Sequence, residues 1–218
     1  MAFTAQAVAW TSGWDKTHAL VDHLSRATES LVLNLAEAAR QRGRPARLQM
    51  ADYAIGSSLE CAACLDLARI KELLSSEECQ QAKRQVCQIT RMLIGLRKAW
   101  NQSIAQEDPI AYTPESNKLL SLPLFHHEQL EVYRTALGFM EWFVSQPQAK
   151  ALSHRLLRQI DEAGTSVVLN IAEGNGRFAE LDHHRFLQIA ETASVKAAVY
   201  LDLGAARGLL SEVEAAVG

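Results

Sequence analysis

Apolar residues return every three or four positions along most of this chain, the period of a helix face rather than the alternation of a strand. Leu20, Leu24, Ala27, Leu31 and Leu35 predict a long helix over 14–42. Gly43-Arg44-Pro45 ends it, and Pro45 suits the start of the next helix. A broader apolar face, Ile55, Leu59, Ala62, Ile70 and Leu73, carries that helix to about Leu74. Ser75 or Ser76 then caps a helix with Glu77 or Glu78 in its first turn. Val86, Ile89, Leu93 and Leu96 form its face, and it ends near Asn101. Further helices are expected at 127–146, 150–174 and 179–210, and residues 3–11 form a short apolar piece. Ile160, Ala163, Val167 and Ile171 lead up to Gly174, which is expected to stop its helix in the left-handed conformation, with Asn175-Gly176 making the turn. Residues 102–124, with Pro109, Pro114 and Pro123 and no clear periodicity, read as a linker.

The pattern occurs twice. At a constant offset of 136, His18 to Ser75 aligns without a gap on His154 to Ser211, and eighteen positions are identical. Leu33-Asn34-Leu35-Ala36-Glu37 faces Leu169-Asn170-Ile171-Ala172-Glu173, and Leu65-Asp66-Leu67 faces Leu201-Asp202-Leu203. The chain therefore reads as all-α, an antiparallel up-and-down helical bundle built from two diverged repeats. We divide it into a first repeat (1–103) with a truncated first helix, the linker (104–124), and a second repeat (125–218) without a fourth helix. Each repeat lacks what the other keeps. An open three-helix face would leave an apolar stripe in water. The two parts must either merge into one bundle or bury their bare faces against other subunits.

Asn170–Arg177, preceded by Leu130-Glu131-Val132-Tyr133-Arg134 and followed by Arg185-Phe186-Leu187-Gln188-Ile189-Ala190, resembles a bacterial four-helix-bundle family. That family includes the intervening-sequence proteins encoded within large-subunit ribosomal RNA genes and the accessory variability determinant of diversity-generating retroelements. The resemblance covers most of 125–212. It is weaker over 18–101, where Ala54-Ile55-Gly56-Ser57-Ser58-Leu59-Glu60 resembles the family's third-helix motif. It implies a non-enzymatic accessory protein, a homo-oligomer, and a partner that is RNA, a reverse transcriptase or another nucleic-acid enzyme.

Charge adds an asymmetry. The 218 residues carry a net −3, which does not advertise nucleic acid, but residues 1–103 hold 13 Lys+Arg against 10 Asp+Glu and residues 125–218 hold 8 against 12. Hydrophobic content of 48% and charged content of 22% fit a globular protein. No apolar run is long enough to span a bilayer, so no membrane association is expected. Met1-Ala2-Phe3-Thr4-Ala5 lacks the basic start of a secretory signal, which makes the cytoplasm the expected location.

The candidate chemistry is sparse. Arg40, Arg42, Arg44 and Arg47 crowd the turn between the second and third helices with no acid between them, and Lys83, Arg84 and Arg91 on the fourth helix extend a candidate phosphate-binding patch. With no aromatic residues interleaved, contacts are expected to fall on backbone rather than bases. Asn34, Glu37, Asn170, Glu173, Gly174 and Arg177 read as a structural motif, the asparagines fixing register at a seam and the glutamates pairing with a neighbour. Asp66 and Asp202 sit between leucines and need partners, with Arg69 one turn from Asp66. Glu180-x-x-His183 has di-iron spacing, but Arg44 and Arg47 stand at the aligned positions, which breaks the set. Cys61 and Cys64 fall inside a helical pattern and read as core thiols. No metal or cofactor is expected. No nucleophile with its base, Gly-rich phosphate loop or poised carboxylate pair is present, so no enzyme is expected. The alternative function is a structural or protein–protein interaction module that binds no nucleic acid.

Overall fold

The structure is a computed structural model, which describes residues 2–15, 18–102, 123–146 and 154–207. Among them run seven α-helices and one 3-10 turn: α1 (Ala2–Gly13), α2 (Ala19–Arg40), α3 (Arg44–Ile70), α4 (Ser76–Gln102), the 3-10 turn (His126–Gln129), α5 (Glu131–Ser145), α6 (His154–Asn175) and α7 (Glu180–Ala206). Nearly all of the expected linker lies outside the described residues. The duplication is visible in the helix bounds. Adding 136 to those of α3 gives 180–206, which are those of α7, and adding it to α2 gives 155–176 against 154–175 for α6.

Helix ends follow local chemistry. Ser75 and Glu78 form the reciprocal box expected at the start of α4: the Glu78 amide donates to Ser75 Oγ, and the Ser75 amide donates to Glu78 Oε2. α3 stops at Ile70 rather than near Leu74. Glu72 takes a left-handed φ of 57°, and the Leu73 amide reaches back to the Ala68 carbonyl, the pairing that closes a helix C-terminus. Gly174 corrects the other expected stop. It lies inside α6 and has no left-handed φ; its missing Cβ instead makes room for Phe186 Cβ at 2.9 Å from where its own would stand.

Burial decides what each repeat contributes. α3 has 16 of its 27 residues buried and packs against α2, α4, α6 and α5, whereas α7 buries only Ala190, Ala193, Ala197, Leu201 and Gly204, and packs chiefly on α6. One apolar cluster runs from Phe3 through Leu20, Leu65 and Val86 to Tyr133, Val168 and Ala190, so the two repeats share a core. Buried polar contacts clasp them together. Lys71 Nζ reaches Asp161 Oδ1 at 2.5 Å and Thr165 Oγ1 at 3.2 Å. Lys83 Nζ lies between Asp66 Oδ1 (2.6 Å) and Glu128 Oε1 (2.5 Å), and the Tyr133 hydroxyl donates to Asp66 Oδ2 (3.0 Å). Glu128 Oε2 in turn accepts from the Leu124 and Phe125 amides, fixing the 3-10 turn on the α3–α4 pair.

Candidate nucleic-acid interface

The α2–α3 turn does gather its arginines, but they differ in availability. Arg42 is exposed and has no partner among the described residues. Arg44 is exposed and donates to Asn101 Oδ1 at 2.7 Å, tying the turn to the end of α4. Arg40 holds Glu37 through Nε and Nη2 at 3.1 and 2.6 Å, also on the surface. Arg47 is half-buried and works as a brace: Nε and Nη2 donate to the Gln41 carbonyl, and the guanidinium lies 5.4 Å from the Trp100 ring centre.

α4 carries the rest. From Cys79 to Gln102 it holds five basic residues and no acid. Arg84, Arg91 and Lys98 are exposed and seven residues apart, so they lie on one face about 10 Å from one another along the axis. The line ends at Asn101, where Arg44 docks. Lys83 is not part of it. One position earlier, it faces the core and is consumed by Asp66 and Glu128, whose charges lift it above the ordinary lysine value although burial opposes this. Burial raises the Asp66 carboxyl, with Lys83 and Tyr133 opposing. Lys83 and Tyr133, not Arg69, are therefore the partners of Asp66, while Arg69 pairs with Glu141 at 3.1 Å. Asp202, the aligned residue on α7, is exposed.

Tertiary packing also brings aromatics that chain order hides. Arg97 is held through both its Nε and Nη2 by the Asp52 carboxylate, and its guanidinium lies 3.9 Å from the ring centre of Phe178 in the α6–α7 turn. Phe178 is 54% exposed. It borders a cleft of about 470 Å³ between the start of α3 and the α6–α7 turn, lined by Pro45, Leu48, Gln49, Tyr53 and Asp182 among others. A sequence signal existed for the Arg84, Arg91, Lys98 line, in its seven-residue spacing. None existed for Phe178, which is 81 positions from Arg97.

The repeated motif makes its contacts within the chain. Asn34 donates to the Ser30 carbonyl and Oγ at 2.8 and 2.9 Å; Asn170 does the same to Ser166 at 2.7 and 3.1 Å. Glu173 pairs with Arg177, whose guanidinium sits 4.8 Å from the ring centres of both Tyr53 and Phe186 and against Gly56. Burial and the charge of Glu60 raise the Glu173 carboxyl despite Arg177. This box locks the α6–α7 turn onto α3. At the aligned place Gln41 stands for Arg177, and Glu37 pairs instead with Arg40 on the surface. His183 Nδ1 lies 2.8 Å from the Gly174 carbonyl and, as the donor there, caps α6. Among the described residues, no group of three or more His, Cys, Asp or Glu is arranged to hold a metal ion. Burial pushes Cys61 up to about 12 and Cys79 to about 11, so both are protonated core thiols.

The fold and the site together define an all-α tandem of helical hairpins with a basic line on one edge helix. The chain belongs to the 23S rRNA-intervening sequence protein family, which matches it twice, over residues 1–95 and 128–217. The two matches fall on the two repeats. No curated protein and no solved structure was found to match the chain. Among the described residues no helix is long and apolar enough to cross a membrane.

Proposed function

We propose that this protein is a non-enzymatic accessory factor that binds RNA along α4 and the α2–α3 turn, presenting it to a nucleic-acid enzyme such as a reverse transcriptase. The observation that supports this reading most is the acid-free run of α4: Arg84, Arg91 and Lys98 in line, continued by Arg44 and Arg42. Basic side chains in such a line neutralise phosphates of a strand and release condensed counterions. Family membership supports the non-enzymatic, helical part of this reading.

The test is RNA binding across a salt series by the intact chain and by a variant with Arg42, Arg44, Arg84, Arg91 and Lys98 changed to Gln. The wild type should lose roughly 0.7 log units of affinity per decade of salt for each phosphate contacted on a single strand. The variant should bind weakly and with a flatter slope, equally for different sequences. Unchanged affinity would move the interface elsewhere.

A second reading has its own support. α7 leaves Val195, Val199 and Leu203 exposed on the face away from α6, at 59, 48 and 41%. Such a stripe suits a protein partner or a further copy of the chain. If no RNA is retained at any salt, this interaction-module reading takes precedence.

A further inference from the structure

We propose that Phe178, backed by Arg97, is a stacking platform for one unpaired base of a bound RNA strand; this rests on the RNA-binding reading above. Four observations converge on it. The ring is half-exposed although a guanidinium covers one face at 3.9 Å, which leaves the other face as the open one. The guanidinium is not free to swing away, because both of its paired nitrogens are held by Asp52. Phe178 lines a cleft of about 470 Å³ with apolar walls from Pro45, Leu48 and Tyr53, within the range that holds small planar ligands. The cleft starts at Pro45, next to Arg44, while Asp182 occupies the opposite turn.

These features orient an occupant. Inside the cleft Asp52 is paired with Arg97 and Arg177 with Glu173, and Asp182 repels a phosphate, whereas Arg44 and Arg42 beside its Pro45 end attract one; the strand's backbone therefore follows the α2–α3 turn and the base enters the cleft. Stacking of this kind tolerates any base, because every base has a π-face. The platform therefore adds affinity for single strands without sequence choice, and it revises the expectation of backbone contacts alone.

The experiment compares wild type, Phe178→Ala and Phe178→Tyr on a labelled ten-nucleotide RNA and on an abasic ribose-phosphate strand of the same length. Wild type should prefer the base-bearing strand. Phe178→Ala should lose at least about fivefold on that strand, none on the abasic one, and keep its salt slope. Phe178→Tyr should restore binding. Equal affinity of wild type for the two salt-sensitive strands, or an equal loss by Phe178→Ala on both, overturns the platform while leaving RNA binding intact. Failure of wild type to bind either strand overturns both readings. Adenosine monophosphate should not compete at micromolar concentration; competition there would make the occupant a free nucleotide rather than a strand.

Discussion

His127 gives the sharpest test of how the two repeats are joined. It is fully buried, its ring stacks 5.6 Å from Phe125 and edge-on 4.7 Å from Tyr133, and neither ring nitrogen has a hydrogen-bond partner. Burial first, then the charges of Lys83 and His126, lowers it to about 3. Lys83 belongs to a buried network that also holds Asp66 on α3, Glu128 in the same 3-10 turn and Tyr133 on α5. The folded protein thus keeps His127 neutral, while the unfolded chain takes up a proton near pH 6.5. Stability from this residue is complete above pH 6.5, falls as pH drops through the window from 6.5 to 3, and levels off below. At 1.36 kcal/mol per unit, the loss reaches roughly 2 kcal/mol at pH 5 and about 5 kcal/mol at pH 3. Phe fits the same stack and has no proton to gain. Urea unfolding followed by circular dichroism, for wild type and His127→Phe at pH 7.5 and 5.0, should show wild type losing about 2 kcal/mol more than the variant. The raised carboxyl of Asp66 acts in both proteins and cancels in the difference. At pH 7.5 the variant should be at least as stable, since two unpaired buried nitrogens are gone. Equal acid losses in the two proteins would refute the reasoning.

Two further substitutions probe the backbone. A Cβ on Gly176 would stand 2.9 Å from Gly56 Cα, backbone against backbone, so Gly176→Ala should cost about 1–3 kcal/mol, whereas Gly95→Ala, in open space on α4, should gain up to about 1 kcal/mol. Thermal melts that place both variants on the same side of wild type would contradict this. Glu72 carries a left-handed φ of 57°, and the aligned residue of the second repeat is Gly208; Glu72→Gly should therefore raise stability by about 0.5–1 kcal/mol, or a few degrees in Tm. A lowered Tm would remove the strain argument.

Helix number, order and the duplication were legible because the apolar period of α2, α3, α6 and α7 is long and repeated; bounds then followed to within a few residues, from Ser75-Glu78 at one end to Pro45 at another. Contacts between repeats were not. Nothing in the pattern distinguishes Lys83, buried between two carboxylates, from Arg84 beside it in water; the difference is 100° around a helix whose partners come from residues 66 and 128. Gly174 misled for a related reason. A glycine near a helix end satisfies both a left-handed stop and a close crossing, and only the position of Phe186 decides between them. The exposed arginine turn was readable from local charge, yet Trp100 and Phe178 join it from α4 and the second repeat, so a chain without interleaved aromatics still builds an aromatic-lined cleft.

The divergence of the repeats explains why that turn is open. The lock between them needs Gly176 and Arg177 on one side and Tyr53 and Gly56 on the other. At the aligned positions stand Arg40 and Gln41, and Ile189 and Thr192. A Cβ at Gly176 would stand 2.9 Å from the Gly56 backbone, so a turn with Arg40 at the aligned position does not fit a contact of this closeness. The first repeat therefore receives a turn and does not deliver one. Its own turn, freed from packing, carries Arg40, Arg42 and Arg44 in water where the second repeat spends Gly176, Phe178 and Glu180. Restoring glycine at 192 alone cannot close the contact while Arg40 remains.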